Sequence, residues 1–310
     1  MSRPLPPTIL LLVVASAAIH VGWNALARSA RGSEQFAWRV NVAGAGLLLP
    51  FLIARRFEQP FPLDGRLVAL AALSALFEAF YFVLLQAAYR TGELSVVYPL
   101  SRAVAPLLLL GPARRVSGDA VSGVELLGIA VVVAGTACIA SSARRPAADP
   151  GSGGQGSPPA LPRTILLALL VGAATAAYQL VDRLAMQLAP AGAELDFLAV
   201  MQLLLAGWLT LWRLPRWGRE RRERALPPPP VRDELRTALF AAIGIQAAYF
   251  LILLALREGN VALVSAARNV GVPLSLLAGG LVLRERIDRT RHAGALLIVG
   301  GLLLAVDWRG

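Results

Sequence analysis

Ten apolar runs of about 20 residues follow one another along a chain of 310 residues, and they limit the possible folds more than any other feature. Crossing a hydrocarbon core of ~30 Å takes ~20 residues of helix. Lipid offers no partner for a backbone N–H or C=O, so each crossing segment has to satisfy its own, as a helix does. The runs lie near 8–27, 35–54, 67–89, 94–112, 121–141, 163–188, 195–214, 235–256, 260–283 and 292–308. The expected fold class is an all-α membrane protein of ten transmembrane helices. Composition agrees: 16% of residues are charged, against roughly 25% in soluble domains.

An internal repeat divides the chain. Arg102 is followed 17 residues later by Asp119, 26 later by Gly128 and 33 later by Gly135, and Arg268 is followed at the same three spacings by Glu285, Gly294 and Gly301. Upstream, AYRTGELSVV (88–97) matches ALREGNVALV (255–264) with a one-residue slip. The expected organisation is a five-helix repeat over 1–141, a flexible linker over 142–162 and a second five-helix repeat over 163–310. Five is odd, so the second repeat enters the membrane from the other face and the two are inverted. Inverted repeats are a transporter signature, with the binding site near the midplane on helices interrupted by Pro or Gly. Pro99 and Pro106 in the fourth run, and Gly271 and Pro273 in the ninth, fit that pattern.

Several other functions are excluded or weakened. All thirty basic residues are Arg, and a Walker A phosphate loop cannot be built without Lys. The Gly, Ser and Pro-rich linker contains a GxGxxG string at Gly151, Gly153 and Gly156. It has neither the preceding strand nor the following helix that dinucleotide binding needs. A basic balance of +11 on a membrane chain points to loops facing anionic lipid, not to nucleic acid. The single Cys138 and two histidines, His20 and His292, supply no disulfide, redox pair or metal set. No cofactor, metal or enzymatic constellation is expected. Ala25-Leu26-Ala27 could end a signal peptide, but the first run is as long as a crossing helix and resembles the segment 165–184 in mid-chain.

Ionisable groups deep in apolar runs are expensive, at least ~2.5 kcal/mol each, and so call for a function. Arg102 and Arg268 are candidate cavity residues, one from each repeat. Glu78 and Asp182 are candidates for proton coupling or for ion pairing with them. His20, Trp23 and Asn24 fall at i, i+3 and i+4, which places them on one helical face, and Tyr178 stands one turn before Asp182. Tyr98 stands one turn before Arg102. These seven uncharged or basic residues form the expected substrate cavity; the competing reading is that Arg and acid pair off as structural salt bridges and the polar groups only join helices.

The segments HVGWNALARS (20–29), AYRTGELSVVYPLSRAVAPLL (88–108), AAYQLVDRLA (176–185) and SAARNVGVPLSLLAGGLVLRER (265–286) resemble the EamA family of the drug/metabolite transporter superfamily. The resemblance implies a ten-helix bundle without cofactor, moving a small metabolite or drug-like solute, frequently outward, by proton coupling or exchange. Family members commonly carry Arg-Glu-Thr-Ser where this chain has Arg268, Asn269, Val270 and Gly271. The expected protein is therefore a multi-pass carrier of the inner membrane whose partners are a small solute, the bilayer and, as candidate coupling ion, protons. A lipid-linked sugar flippase of the same superfamily is the alternative, and a channel or sensor the next. Orientation stays open: eighteen arginines on the side of the linker and the 215–234 loop against eight on the side of the termini favour external termini by the positive-inside rule. The first repeat alone, and the family resemblance, favour the reverse.

Overall fold

A computed structural model describes residues 5–26, 34–58, 62–90, 94–142, 161–222, 231–283 and 288–306. The chain runs through α1 (Pro7–Leu26), α2 (Glu34–Glu58), α3 (Gly65–Arg90), α4 (Leu94–Val116), α5 (Gly123–Ser142), α6 (Leu161–Leu188), α7 (Glu194–Arg222), α8 (Val231–Glu258), α9 (Val261–Ala267), a single 3-10 turn (Arg268–Val270), α10 (Gly271–Leu283) and α11 (Arg289–Ala305). Each apolar run coincides with a helix to within a few residues, except that the ninth is split into α9, the 3-10 turn and α10. Helix α7 continues past Pro215 to Arg222, so part of the 215–234 segment, expected as a loop, is helical. No β-strand occurs among the described residues.

Seven helices are long and apolar enough to cross a membrane over the described residues. The chain is a multi-pass, all-helical membrane protein. Large apolar side chains such as Leu11, Phe240 and Leu296 point outward, where lipid costs them nothing. The buried faces use small residues instead: α3 turns Ala71, Ala75 and Ala79 inward, and small residues let helices approach closely when no hydrophobic drive separates helix from lipid.

The pairing of helices is specific. α1 packs on α8, α3 and α4 pack on α6, α3 and α2 pack on α7, and α5 lies along α11. The α5–α11 contact is backbone on backbone. A Cβ on Gly128 would fall 2.7 Å from the carbonyl oxygen of Gly301, and one on Gly301 2.6 Å from that of Gly128. Gly135 and Gly294 meet in the same reciprocal way, at 2.6 and 2.7 Å.

The starts of α1, α5, α7 and α9 gather at one end of the bundle with the ends of α2, α4, α6, α8 and α11. Leu5 donates its N–H to Ala305 there, joining the first described residue to the end of α11, and this end is called the terminal end below. Local capping sets these boundaries. Ser122 and Glu125 exchange side-chain and backbone bonds at the head of α5, which is a capping box. Asn260 caps α9 by accepting from Ala262 and Leu263 N–H.

Candidate functional site

The deepest polar cluster forms where α3, α6 and α8 converge. Asp182 on α6 is fully buried; its Oδ1 accepts from Ser74 Oγ of α3 at 2.5 Å and its Oδ2 from Tyr249 Oη of α8 at 2.6 Å. Hydroxyl groups, not a guanidinium, thus hold both oxygens of this acid. Glu78 sits one turn beyond Ser74 on α3. It is 8% exposed, and its Oε2 has no hydrogen-bond partner among the described residues. A buried acceptor left unmatched is costly.

Three tyrosines wall the cluster. Tyr178 stacks edge-on against Tyr81 with centroids 6.1 Å apart and lies 6.4 Å from Tyr249. Tyr178 Oη also accepts from Arg268 Nη1 at 3.4 Å. Arg268 opens the 3-10 turn between α9 and α10, and its own backbone carbonyl accepts from Arg102 Nη1 of α4 at 3.1 Å. The two arginines singled out by the repeat are therefore neighbours.

The split in the ninth run explains how Arg268 is presented. Pro273 has no N–H to return to the carbonyl of Asn269, so α-helical bonding cannot run through this point. The backbone tightens into a 3-10 turn that the Gly271 N–H closes. Asn269, 1% exposed, braces the break by donating Nδ2 to the carbonyls of Arg102 at 3.4 Å and Ala266 at 3.1 Å, and its Oδ1 accepts from Thr136 of α5. An irregular backbone at membrane depth is tolerated where protein buries it or a cavity lies beside it. By the rise per residue, the cluster lies roughly 10–20 Å in from the terminal ends of its helices.

Of the expected cavity residues, Arg102, Tyr178 and Arg268 meet here together with Glu78 and Asp182. His20 is half-buried on α1. The side chains of Trp23, Asn24 and Tyr98 lie outside the described residues. Ser74, Tyr81 and Tyr249 belong to the site but were not expected. A signal for the tyrosines exists: Glu78-Ala-Phe-Tyr81-Phe82 in the first half matches Gln246-Ala-Ala-Tyr249-Phe250 in the second, so each half contributes a tyrosine three residues after an acid or its amide.

A second charged cluster lies at the terminal end. Arg183, 8% exposed, forms a two-pronged pair with Asp119 at 3.0 and 2.9 Å. Its third nitrogen donates to the carbonyls of Leu256 and Arg257 at the end of α8. Arg257 in turn donates to Glu194 and to the carbonyls of Ala189 and Pro190 at the end of α6. Arg183 and Arg257 thus each neutralise the other helix's C-terminal dipole. Arg183 was not among the expected site residues.

Comparison with known proteins supplies three findings. Residues 162–306 match the model of the EamA-like transporter family. Among solved structures 28 chains match; one, a crystal structure, has a TM-score of 0.69 and 18% sequence identity, covering 96% of each chain. At that identity the likeness shows the fold alone. No curated protein matches the chain.

Proposed function

We propose, for a chain whose residues 162–306 belong to the EamA-like transporter family, that it is a secondary active carrier, an exporter or exchanger of a small metabolite or drug-like solute across the inner membrane. The observation that carries this reading is a layer of two buried acids, two half-buried arginines and three tyrosines around a broken helix. It is drawn from α3, α4, α6, α8 and the α9–α10 break, and both halves of the chain supply it.

The helix pairing supports two inverted five-helix repeats, 1–141 and 163–310, joined by 142–162. If the first helix of one repeat corresponds to the first of the other, α1 on α8 and α6 on α3 are the same contact made twice. The glycine contacts support the same relation. Gly128 corresponds to Gly294 and Gly135 to Gly301, so the contact of Gly128 with Gly301 becomes, on exchange of the repeats, the contact of Gly294 with Gly135. Both are present, as a two-fold axis in the membrane plane requires.

In this reading Arg102 and Arg268 attract or orient the solute, and Tyr178 with His20, Trp23, Asn24 and Tyr98 lines its path. Glu78 and Asp182 carry the proton if coupling uses one. Burial of ions for stability alone is a weak explanation, and the unmatched Glu78 oxygen supports a ligand or proton there. The arginine count supports cytoplasmic placement of the linker and the α7–α8 segment, with both termini outside.

The test begins with metabolite profiling of cells and medium with and without the gene. A solute whose distribution follows the gene is then loaded into proteoliposomes, and counterflow is measured. A carrier shows entry stimulated by the same solute on the far side. Passive equilibration without that stimulation indicates a channel and refutes the proposal.

A further inference from the structure

Gln179 on α6 is buried, at 2% exposed, and its Oε1 has no hydrogen-bond partner among the described residues. Glu78 Oε2 on α3 is in the same condition. Two contacts fix the register of these helices. Ser74 Oγ bonds Asp182 Oδ1 at 2.5 Å, and the rings of Tyr81 and Tyr178 meet at 6.1 Å, so numbers rising along α3 meet numbers falling along α6. Glu78 lies between Ser74 and Tyr81 on its helix, and Gln179 lies between Tyr178 and Asp182 on its own. The antiparallel register therefore sets Glu78 and Gln179 opposite one another in one stretch of the seam, about one turn from Asp182.

Both unmatched atoms are acceptors, and an amide oxygen cannot satisfy an ionised carboxylate. Donors of the surrounding cluster are engaged elsewhere: Ser74 and Tyr249 donate to Asp182, and Arg268 Nη1 donates to Tyr178. Glu78 and Asp182 are offset in formal charge by Arg102 and Arg268, so hydrogen-bond polarity, more than net charge, decides what this spot prefers. Two acceptors buried side by side call for a group that brings donors to both.

We propose that Gln179 is a specificity-determining residue of the solute site. Its Oε1 and Glu78 Oε2 together take an N–H-bearing head, an amine or amide with two or more donors, held between the Ser74–Asp182 bond and the Tyr81–Tyr178 pair. A carboxylate or phosphate head would set acceptors against acceptors there and is rejected. The proposal rests on the carrier reading for its purpose, whereas its test is one of binding. Gln246 on α8 supplies the contrast. It is 8% exposed and its Oε1 also lacks a partner among the described residues. Its amide nitrogen, however, stands 2.5 Å from where a Cβ on Gly44 of α2 would fall, so this amide is turned to α2 and not to the α3–α6 seam.

The experiment is thermal unfolding of the full chain, purified in detergent, with four small probes at equal concentration and ionic strength. n-Butylammonium and butyramide carry N–H donors, tetramethylammonium carries charge without them, and butyrate carries acceptors. Each donor probe, well above its dissociation constant, should raise the melting temperature by about 3 °C, and the other two should leave it unchanged. In Gln179→Met, which keeps the length of the side chain and loses the acceptor, the donor-probe shift should be largely lost, measured from the variant's own melting temperature. Gln246→Met should keep the full shift. No shift with either donor probe, an equal shift with butyrate or tetramethylammonium, a full shift in Gln179→Met, or an equal loss in Gln246→Met would overturn the assignment. If Gln179→Met does not fold, the four probes on the wild type and on Gln246→Met decide. A Gln179-dependent shift without counterflow of any solute would sink the carrier reading and leave the site standing. Counterflow without any probe shift would do the reverse.

Discussion

Alanine at Gly301 should destabilise the protein, while alanine at the adjacent Gly300 should not. At 301 the new Cβ would stand 2.6 Å from the Gly128 carbonyl oxygen and 2.8 Å from the Val132 nitrogen, and at 300 nothing lies within 4 Å. Reaching the 3.4 Å of ordinary contact from 2.6 Å requires α5 and α11 to part by about 0.8 Å. Both substitutions gain the same helix propensity, about 1 kcal/mol. Their difference therefore isolates the clash, which overpacking of a close interface puts at about 1–3 kcal/mol. The reciprocal geometry adds a sharper expectation. Gly128→Ala pushes on the same backbone pair, so in the double variant with Gly301→Ala the second methyl enters a gap already opened. The two costs should fall short of their sum by about 1 kcal/mol. Gly128→Ala with Gly294→Ala strikes two contacts about 10 Å apart along the helix, and those costs should add. Equilibrium denaturation of the purified chain in detergent measures all six variants, Gly294→Ala alone among them. Equal stability of Gly300→Ala and Gly301→Ala, or full additivity of the 128/301 pair, would refute the reciprocal contact and the two-fold relation argued from it.

Ser74→Ala and Tyr249→Phe each leave one oxygen of Asp182 without its donor, and each should cost about 1–3 kcal/mol in the same denaturation assay, with unchanged stability disproving the depth of the cluster. If protons drive transport, flux under an imposed pH gradient should be lost in Glu78→Gln or in Asp182→Asn, and wild-type flux in both would remove these acids from the coupling. A reporter active only in the cytoplasm, fused after Gly310, should be silent if the termini are external; strong activity would place the Arg-rich loops outside. Thr136→Val, which removes a donor to Asn269 across α5, should weaken the brace of the 3-10 turn and lower counterflow more than it lowers the melting temperature, and the reverse pattern would make that contact merely structural.

The helices were legible because lipid enforces them: a run of apolar residues at membrane depth has no other stable backbone. Arg102 and Arg268 were legible for the same reason, as charges where charge is expensive. Their mutual arrangement was not. The competing reading paired them with Glu78 and Asp182 as salt bridges, whereas the described bonds run from Arg102 to the Arg268 carbonyl beside the helix break, from Arg268 to Tyr178, and from Asp182 to two hydroxyls. Hydroxyl and tyrosine donors are cheap to bury, so Ser74 and Tyr249 leave no mark in hydropathy. Arg183 was overlooked for a different reason. A basic residue near a helix end reads as a headgroup anchor, and only the fold shows that the end of α8 and the Asp119 turn enclose it. Pairing of Asp119 with Arg183 also gives this acid a role that its position in the repeat, opposite Glu285, did not reveal.

The central claim is that the cluster of Asp182, Arg268 and the tyrosines is where a solute is held as the two halves exchange access. Counterflow of the solute found by profiling, measured in proteoliposomes for the wild type, Arg268→Gln and Asp182→Asn at equal protein content and verified folding, tests it most directly. Strong trans-stimulated entry is expected in the wild type, with its loss in both variants. Counterflow at the wild-type rate in both would contradict it.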